Sequence, residues 1–190
     1  MAGGLDMEQD LLEQLLDWVR SHYFGKYRGA VTDNADPTQR GRLKVRVPAV
    51  LEDTEVWAMP CVPYAGNGVG FYSLPEPGTG VWVEFEEGDP SFPIWAGCFW
   101  GDGELPDKSD ANIKIWKTEK FTLRIDDSSD EMVAEASSGS KVRIAGDVVT
   151  ESGGAKHTVG SAGVVSEKSS GKVEVTDTSV KINSGALEVM

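Results

Sequence analysis

Two histidines, two cysteines and a surplus of carboxylates are the residues of this chain with chemical potential. His22 and His157 lie in different segments, and neither has a Cys or His partner at metal-ligand spacing, so neither a metal site nor a cofactor is expected. Cys61 and Cys98 are too few for a disulfide scaffold; they are either one structural pair or two free thiols in a reducing compartment. There is no G-x-S-x-G, no H-E-x-x-H, no P-loop and no G-x-G-x-x-G after a strand. Gly66-Asn67-Gly68-Val69-Gly70 is glycine-rich, yet no lysine or helix start follows, so it reads as a loop. A glycosidase needs only two carboxylates across a cleft. Glu84, Glu86 and Asp89 gather at one strand end, and Asp126, Asp127, Asp130 and Glu131 crowd one turn. The second group lacks the ordered spacing of a calcium loop, and both read as solvated faces. No catalytic constellation emerges, and the chain is expected not to be an enzyme.

Arg42, Lys44 and Arg46 project from one face of a strand, with Arg40 extending the stripe. Three readings stay open for them: a solvated face, a charged contact with protein, or a platform for single-stranded nucleic acid. The wider charge balance weighs against the last. The chain has 190 residues, 31 of them acidic and 18 basic, for a formal charge of −13. Such a field repels phosphate backbones, so nucleic acid is not an expected partner. No run approaches the roughly 20 apolar residues of a membrane span, and the start lacks the basic and apolar regions of a signal peptide.

The elements that must position these residues change character along the chain. All nine prolines precede residue 107 and the last aromatic is Phe121. One core does not usually segregate its aromatics, so two architectures are expected, with a boundary near residues 101–110. Residues 7–23 read as an amphipathic helix: Leu12, Leu15, Leu16 and Val19 fall at i, i+3, i+4 and i+7, and Leu11 and Trp18 widen the stripe. Glu8, Asp10 and Glu13 near its start and Arg20 near its end suit the helix dipole. The stripe fits packing on its own domain, or docking and trimerisation.

From Lys26 to Trp100 the pattern is β. Gly41-Arg42-Leu43-Lys44-Val45-Arg46-Val47 alternates, placing Leu43, Val45 and Val47 inward, and Trp57, Trp82 and Trp95 also read as core. About five short strands without a helical crossover point to a small closed barrel of OB type. After Ala111, ten short Val- and Ile-bearing segments recur, from Ile113-Lys114-Ile115 to Leu187-Glu188-Val189. Each offers too few apolar residues to bury a face alone, so association of identical chains about a shared axis is expected. A disordered tail would be poor in such β-branched pairs.

Several segments carry a family resemblance. They are Lys26-Tyr27-Arg28-Gly29-Ala30-Val31, Asp36-Pro37, Gly41 to Pro48, Trp57-Ala58-Met59-Pro60-Cys61-Val62-Pro63-Tyr64-Ala65-Gly66, and Leu74 to Phe85 followed by Gly88-Asp89-Pro90 and Pro93-Ile94-Trp95-Ala96-Gly97. The chain resembles phage baseplate assembly protein V and the spike portion of VgrG proteins, strongly over residues 23–101 and more weakly through Phe121 and Ile125-Asp126-Asp127.

That resemblance implies a mainly β chain: an N-terminal amphipathic helix over 1–25, a five-stranded OB barrel over 26–101, a linker over 102–111, and an intertwined trimeric β-helix or β-prism over 112–190. It implies the homotrimeric central spike of a contractile phage tail or tail-like injection system, assembled in the bacterial cytoplasm, resident in the baseplate and piercing the target cell envelope. The family's lysozyme domain has no room in Gly101–Asn112. Only about 25 residues precede the barrel, so a separate hub protein is expected, contacted by Leu12, Leu16 and Trp18 or by Arg42, Lys44 and Arg46. These residues are alternatively trimer contacts. The His-x-His apex of some spikes is missing; Leu187, Val189 and Met190 are expected to seat a separate PAAR-type tip protein. Two rivals stand beside this reading: an OB-fold nucleic-acid-binding module with an acidic tail, and a cell-wall hydrolase using Glu84 or Asp89.

Overall fold

The structure is a computed structural model describing residues 3–108 and 110–190, with side chains described from residue 9 onward. It divides into two compact units, Met1–Glu104 and Leu105–Met190.

The first unit opens with α1 (Gly3–Ser21), which ends where the Ser21 hydroxyl donates to the Trp18 carbonyl at 3.1 Å and His22 Nδ1 lies 2.7 Å from that same oxygen. The chain then runs through β1 (Tyr27–Asp33), β2 (Leu43–Arg46), the single turn α2 (Pro48–Leu51), β3 (Glu55–Pro60), the small hairpin β4 (Ala65–Gly66) and β5 (Val69–Gly70), β6 (Gly80–Phe85) and β7 (Pro93–Cys98). Five of these close a barrel in the order β1-β2-β3-β7-β6, with β6 returning to β1. All neighbours are antiparallel except β3 and β7, which run parallel with Met59 opposite Ile94.

Period-2 alternation makes the core. Leu43, Val45 and Val47 point inward as expected, joined by Val31, Ala58, Val81, Val83, Phe85 and Trp95. Leu43, Val45, Val81 and Val83 are fully buried, a burial worth about 1.5–3 kcal/mol per side chain. The expectation for the tryptophans needs correction. Trp95 is core, but Trp57 and Trp82 are half-buried on the outside of the barrel. Their strands give the inward positions to Ala58, Val81 and Val83, and alternation sends the adjacent indoles outward. Each is covered by a guanidinium instead: Arg42 lies 5.3 Å from the Trp57 ring centre, and Arg28 lies 5.4 Å from Trp82 and 4.9 Å from Phe99.

The second unit is a single ten-stranded antiparallel sheet: β8 (Ile113–Lys117), β9 (Phe121–Asp126), β10 (Glu131–Ala136), β11 (Lys141–Ile144), β12 (Val148–Ser152), β13 (Ala155–Gly160), β14 (Gly163–Lys168), β15 (Gly171–Val175), β16 (Val180–Ile182) and β17 (Leu187–Val189). Every strand pairs with its neighbour in sequence, so all ten short apolar segments become strands of one meander. The chain is therefore mainly β, with an N-terminal helix, a closed five-stranded barrel and a large C-terminal sheet.

Candidate functional site

The register of the second unit sorts its side chains into rows. On one face, directly opposed residues run Lys114, Ile125, Met132, Ile144, Val148, Val159, Val164, Val175, Val180 and Val189, one from each strand. After Lys114 every member is apolar. Ile125, Ile144, Val148, Val159, Val175 and Val180 are each 38–42% exposed, so the described residues leave much of the row uncovered. An exposed contiguous apolar strip of this kind marks an association surface.

A second row on the same face runs Trp116, Leu123, Ala134, Val142, Thr150, His157, Ser166, Val173, Ile182 and Leu187. Its polar middle is closed by His157 Nδ1 and Ser166 Oγ, 2.7 Å apart. A cavity of about 890 Å³ is lined by Val142, Thr150, His157, Ser166, Val173 and Ile182 of this row together with Lys141, Glu151, Lys156, Glu167 and Lys172.

The opposite face carries charge in alternation. Glu135, Lys141, Glu151, Lys156, Glu167 and Lys172 stand opposite one another strand by strand, and Glu174, Lys181 and Glu188 form a shorter row beside them. Lys141 reaches Glu151 at 3.0 Å and Lys181 reaches Glu188 at 3.2 Å. Val149, only 7% exposed, sits among these charges. The alternation is present in the sequence as a Lys/Glu rhythm, but only the register turns it into rows.

In the first unit, the α1 stripe is exposed. Leu11, Leu12, Leu15, Leu16, Trp18 and Val19 are 41–61% exposed, so the stripe is not spent on packing against its own barrel. Beyond the helix, the rings of Trp18 and His22 stack at 4.5 Å, and Tyr23 N donates to Gly88 O at 2.7 Å, tethering the segment to the barrel. A second exposed apolar group, Tyr64, Val69, Phe71 and Tyr72, surrounds the β4–β5 hairpin. By sequence that hairpin reads as a plain loop. Its signal was three aromatics flanking a glycine-rich turn, where a core would not place them.

The basic stripe is largely compensated within the chain. Arg42 donates from Nε at 3.0 Å and Nη2 at 2.8 Å to Asp36 Oδ1, and Lys44 reaches Glu55 at 3.2 Å. Arg46 remains exposed on β2. Several of the acidic groups singled out by sequence have structural partners as well. Glu84 pairs with Lys26, and Asp89 accepts the Ser91 N–H at 2.8 Å, which lowers its pKa. Asp126 accepts the Ser128 hydroxyl at 2.5 Å and N–H at 3.0 Å, and the Arg124 guanidinium at 3.1 Å. Glu131 pairs with Arg143. Both Cys61 and Cys98 are free thiols. Among the described residues, no group of three His, Cys, Asp or Glu side chains is placed to hold a metal ion. Leu187, Val189 and Met190 are exposed at the last strand, Met190 almost fully.

No curated protein matches the chain. Residues 27–100 match the family described as the type VI secretion system/phage-baseplate injector OB domain. The match spans the whole closed barrel and supports a structural role in a baseplate.

Proposed function

With its barrel an OB domain of the phage-baseplate and type VI injector family, we propose that this chain is the central spike of a contractile phage tail or tail-like injection particle. Three copies turn their apolar rows toward a common axis, and the second units together form a needle that is driven through the target envelope when the sheath contracts. The observation that carries this reading is the row from Ile125 to Val189, which a single chain leaves uncovered. The role is mechanical and calls for no catalytic group.

In this reading a separate hub protein takes the α1 stripe through Leu12, Leu16 and Trp18, with Arg46 and its neighbours Arg42 and Lys44 at the barrel surface as a second contact. Leu187, Val189 and Met190 seat a PAAR-type tip protein. The particle is assembled in the bacterial cytoplasm and the spike resides in its baseplate.

Light scattering on the purified full chain tests the proposal. A particle of three times 20.5 kDa, with a C-terminal half that resists protease, is the expected result. A monomer that loses everything after about residue 110 under mild proteolysis overturns it.

A further inference from the structure

The outer face of the barrel carries two guanidiniums that no carboxylate answers. Gly29 and Val31 are buried, so alternation turns Arg28 and Ala30 of β1 outward; buried Val45 and Val47 do the same for Arg46 of β2. Arg46 stands directly opposite Ala30, which makes it the diagonal neighbour of Arg28, about 7–8 Å away between backbones. The carboxylates on the neighbouring strands of this face are already engaged. Glu55, opposite Arg46 on β3, is held by Lys44 at 3.2 Å, and Glu84, two residues beyond Trp82 on β6, pairs with Lys26. Among the described residues, neither Arg28 nor Arg46 has a carboxylate partner, although the chain holds 31 acidic residues.

Arg28 is nonetheless held in place. Its guanidinium lies 5.4 Å from the Trp82 ring centre and 4.9 Å from that of Phe99, and the two rings are 5.0 Å apart. Phe99 reaches this position by lying over Gly80. Its N–H donates to the Gly80 carbonyl at 3.1 Å, and a Cβ on Gly80 would fall 2.6 Å from its ring. Stacking fixes the plane of the guanidinium but satisfies none of its five N–H donors. A planar fork held on aromatic surface with free donors is arranged for a carboxylate, which takes two of them in parallel. A phosphate has similar geometry, but the field of a chain with formal charge −13 repels a phosphate backbone.

We propose that Arg28, positioned by Trp82 and Phe99, forms with Arg46 a carboxylate-binding surface whose occupant is an acidic segment of the separate hub protein. This rests on the spike reading above. It moves the barrel's share of the hub contact from Arg42 and Lys44, which Asp36 and Glu55 occupy, to Arg28 and Arg46.

Carbodiimide cross-linking tests it on the full chain co-expressed with the hub protein. Arg28→Lys and Arg46→Lys, made singly, each keep the charge and install an amine that this zero-length reagent joins only to a carboxylate in contact with it. Mass spectrometry should find each introduced amine coupled to an Asp or Glu of the hub. Arg28→Gln with Arg46→Gln should lower the hub recovered with the chain at least tenfold at about 0.15 M salt, with the trimeric mass and melting temperature unchanged. Introduced amines that couple only to another copy of this chain, or to nothing while the hub still co-purifies, overturn the proposal and leave the spike reading standing. Binding of a mixed-sequence single-stranded oligonucleotide that the double Gln variant abolishes also overturns it, because the surface then takes phosphate. A wild-type chain that is monomeric and recovers no hub overturns the spike reading itself, and this proposal with it.

Discussion

Asp36 holds Arg42 through one carboxylate oxygen, Oδ1, which takes Nε at 3.0 Å and Nη2 at 2.8 Å. The other oxygen, Oδ2, accepts the Arg40 N–H at 2.8 Å and the Arg42 N–H at 3.3 Å. Thr38 adds its N–H to Oδ1 at 3.0 Å and its hydroxyl at 2.9 Å. The Asp36 side chain is 3% exposed, and the whole connection between β1 and β2 is wound around it. The guanidinium it grips lies in turn over Trp57.

This arrangement makes the barrel acid-sensitive. The Arg42 guanidinium holds the Asp36 carboxyl well below the usual carboxylate range; burial opposes the shift, and the Thr38 and Arg40 N–H groups reinforce it. A carboxyl depressed in the folded state adds stability that is present above its unfolded value, about 3.9, and is lost as pH falls below it. The melting temperature of the barrel should therefore be flat above about pH 5 and decline below about pH 4. Asp36→Asn should lower it at neutral pH and flatten the acid decline; parallel acid limbs for the two chains would count against this role for Asp36.

Neighbouring positions on β2 should differ sharply in their effect on stability. Leu43 is fully buried, and Leu43→Ala should cost about 2–5 kcal/mol through lost burial and a residual cavity. Lys44, whose side chain is 36% exposed beside Glu55, should cost less than about 1 kcal/mol on replacement by Ala. Urea midpoints read both, with an unchanged slope showing that the unfolded state is not the cause.

The hairpin between β13 and β14 depends on a glycine. Gly163 has φ +122°, and a Cβ there would lie 2.0 Å from the Val175 carbonyl oxygen. Gly163→Ala should break the β14–β15 ladder locally, seen as faster amide exchange at Val164 and Val175 and earlier proteolysis. Gly146→Ala, with open space around its Cβ, is the matched substitution expected to change neither.

If the apolar row is the shared core, charge on it should separate the copies. Val159→Asp is expected to convert the trimeric mass to a monomeric one, while Lys156→Gln on the opposite face leaves the mass unchanged. An unaltered mass for Val159→Asp would place the contact between copies elsewhere.

The two ends should be separable from assembly. Leu12→Gln with Leu16→Gln removes apolar side chains that are 56% and 41% exposed, so barrel melting should stay unchanged while co-purification with the hub protein is lost. Deleting Gly185–Met190 should abolish co-purification with a PAAR-type tip protein. Retained binding in either case removes that contact from the proposal.

Much of this molecule is readable in a strand's period. Alternation alone assigns Leu43, Val45 and Val47 to the barrel interior, and the Val/Ile spacing after Ala111 marks each of the ten strands. The loss of proline and aromatics after residue 121 announces a second architecture. The basic stripe shows where such reading stops. Alternation places Arg42 near a common face with Lys44 and Arg46, yet Asp36 and Trp57 claim the guanidinium, and both approach only because the loop and β3 fold over it.

Period 2 states which face a side chain takes, and the sequence determined that much for nearly every strand. It does not state which strands become neighbours, and neighbours decide the rest. Three tryptophans follow similar local patterns, but only Trp95 enters the barrel, because closure leaves the inward positions of β3 and β6 to Ala58, Val81 and Val83. The order of the apolar row is likewise invisible locally. Ile125, Ile144, Val159 and Val175 lie far apart in the chain and form one strip only once the strand pairings set their register. Local sterics choose the strand and its faces; in the second unit sequence neighbours pair and their register builds the rows, while in the barrel the pairings β1–β6 and β3–β7 between distant segments close the core.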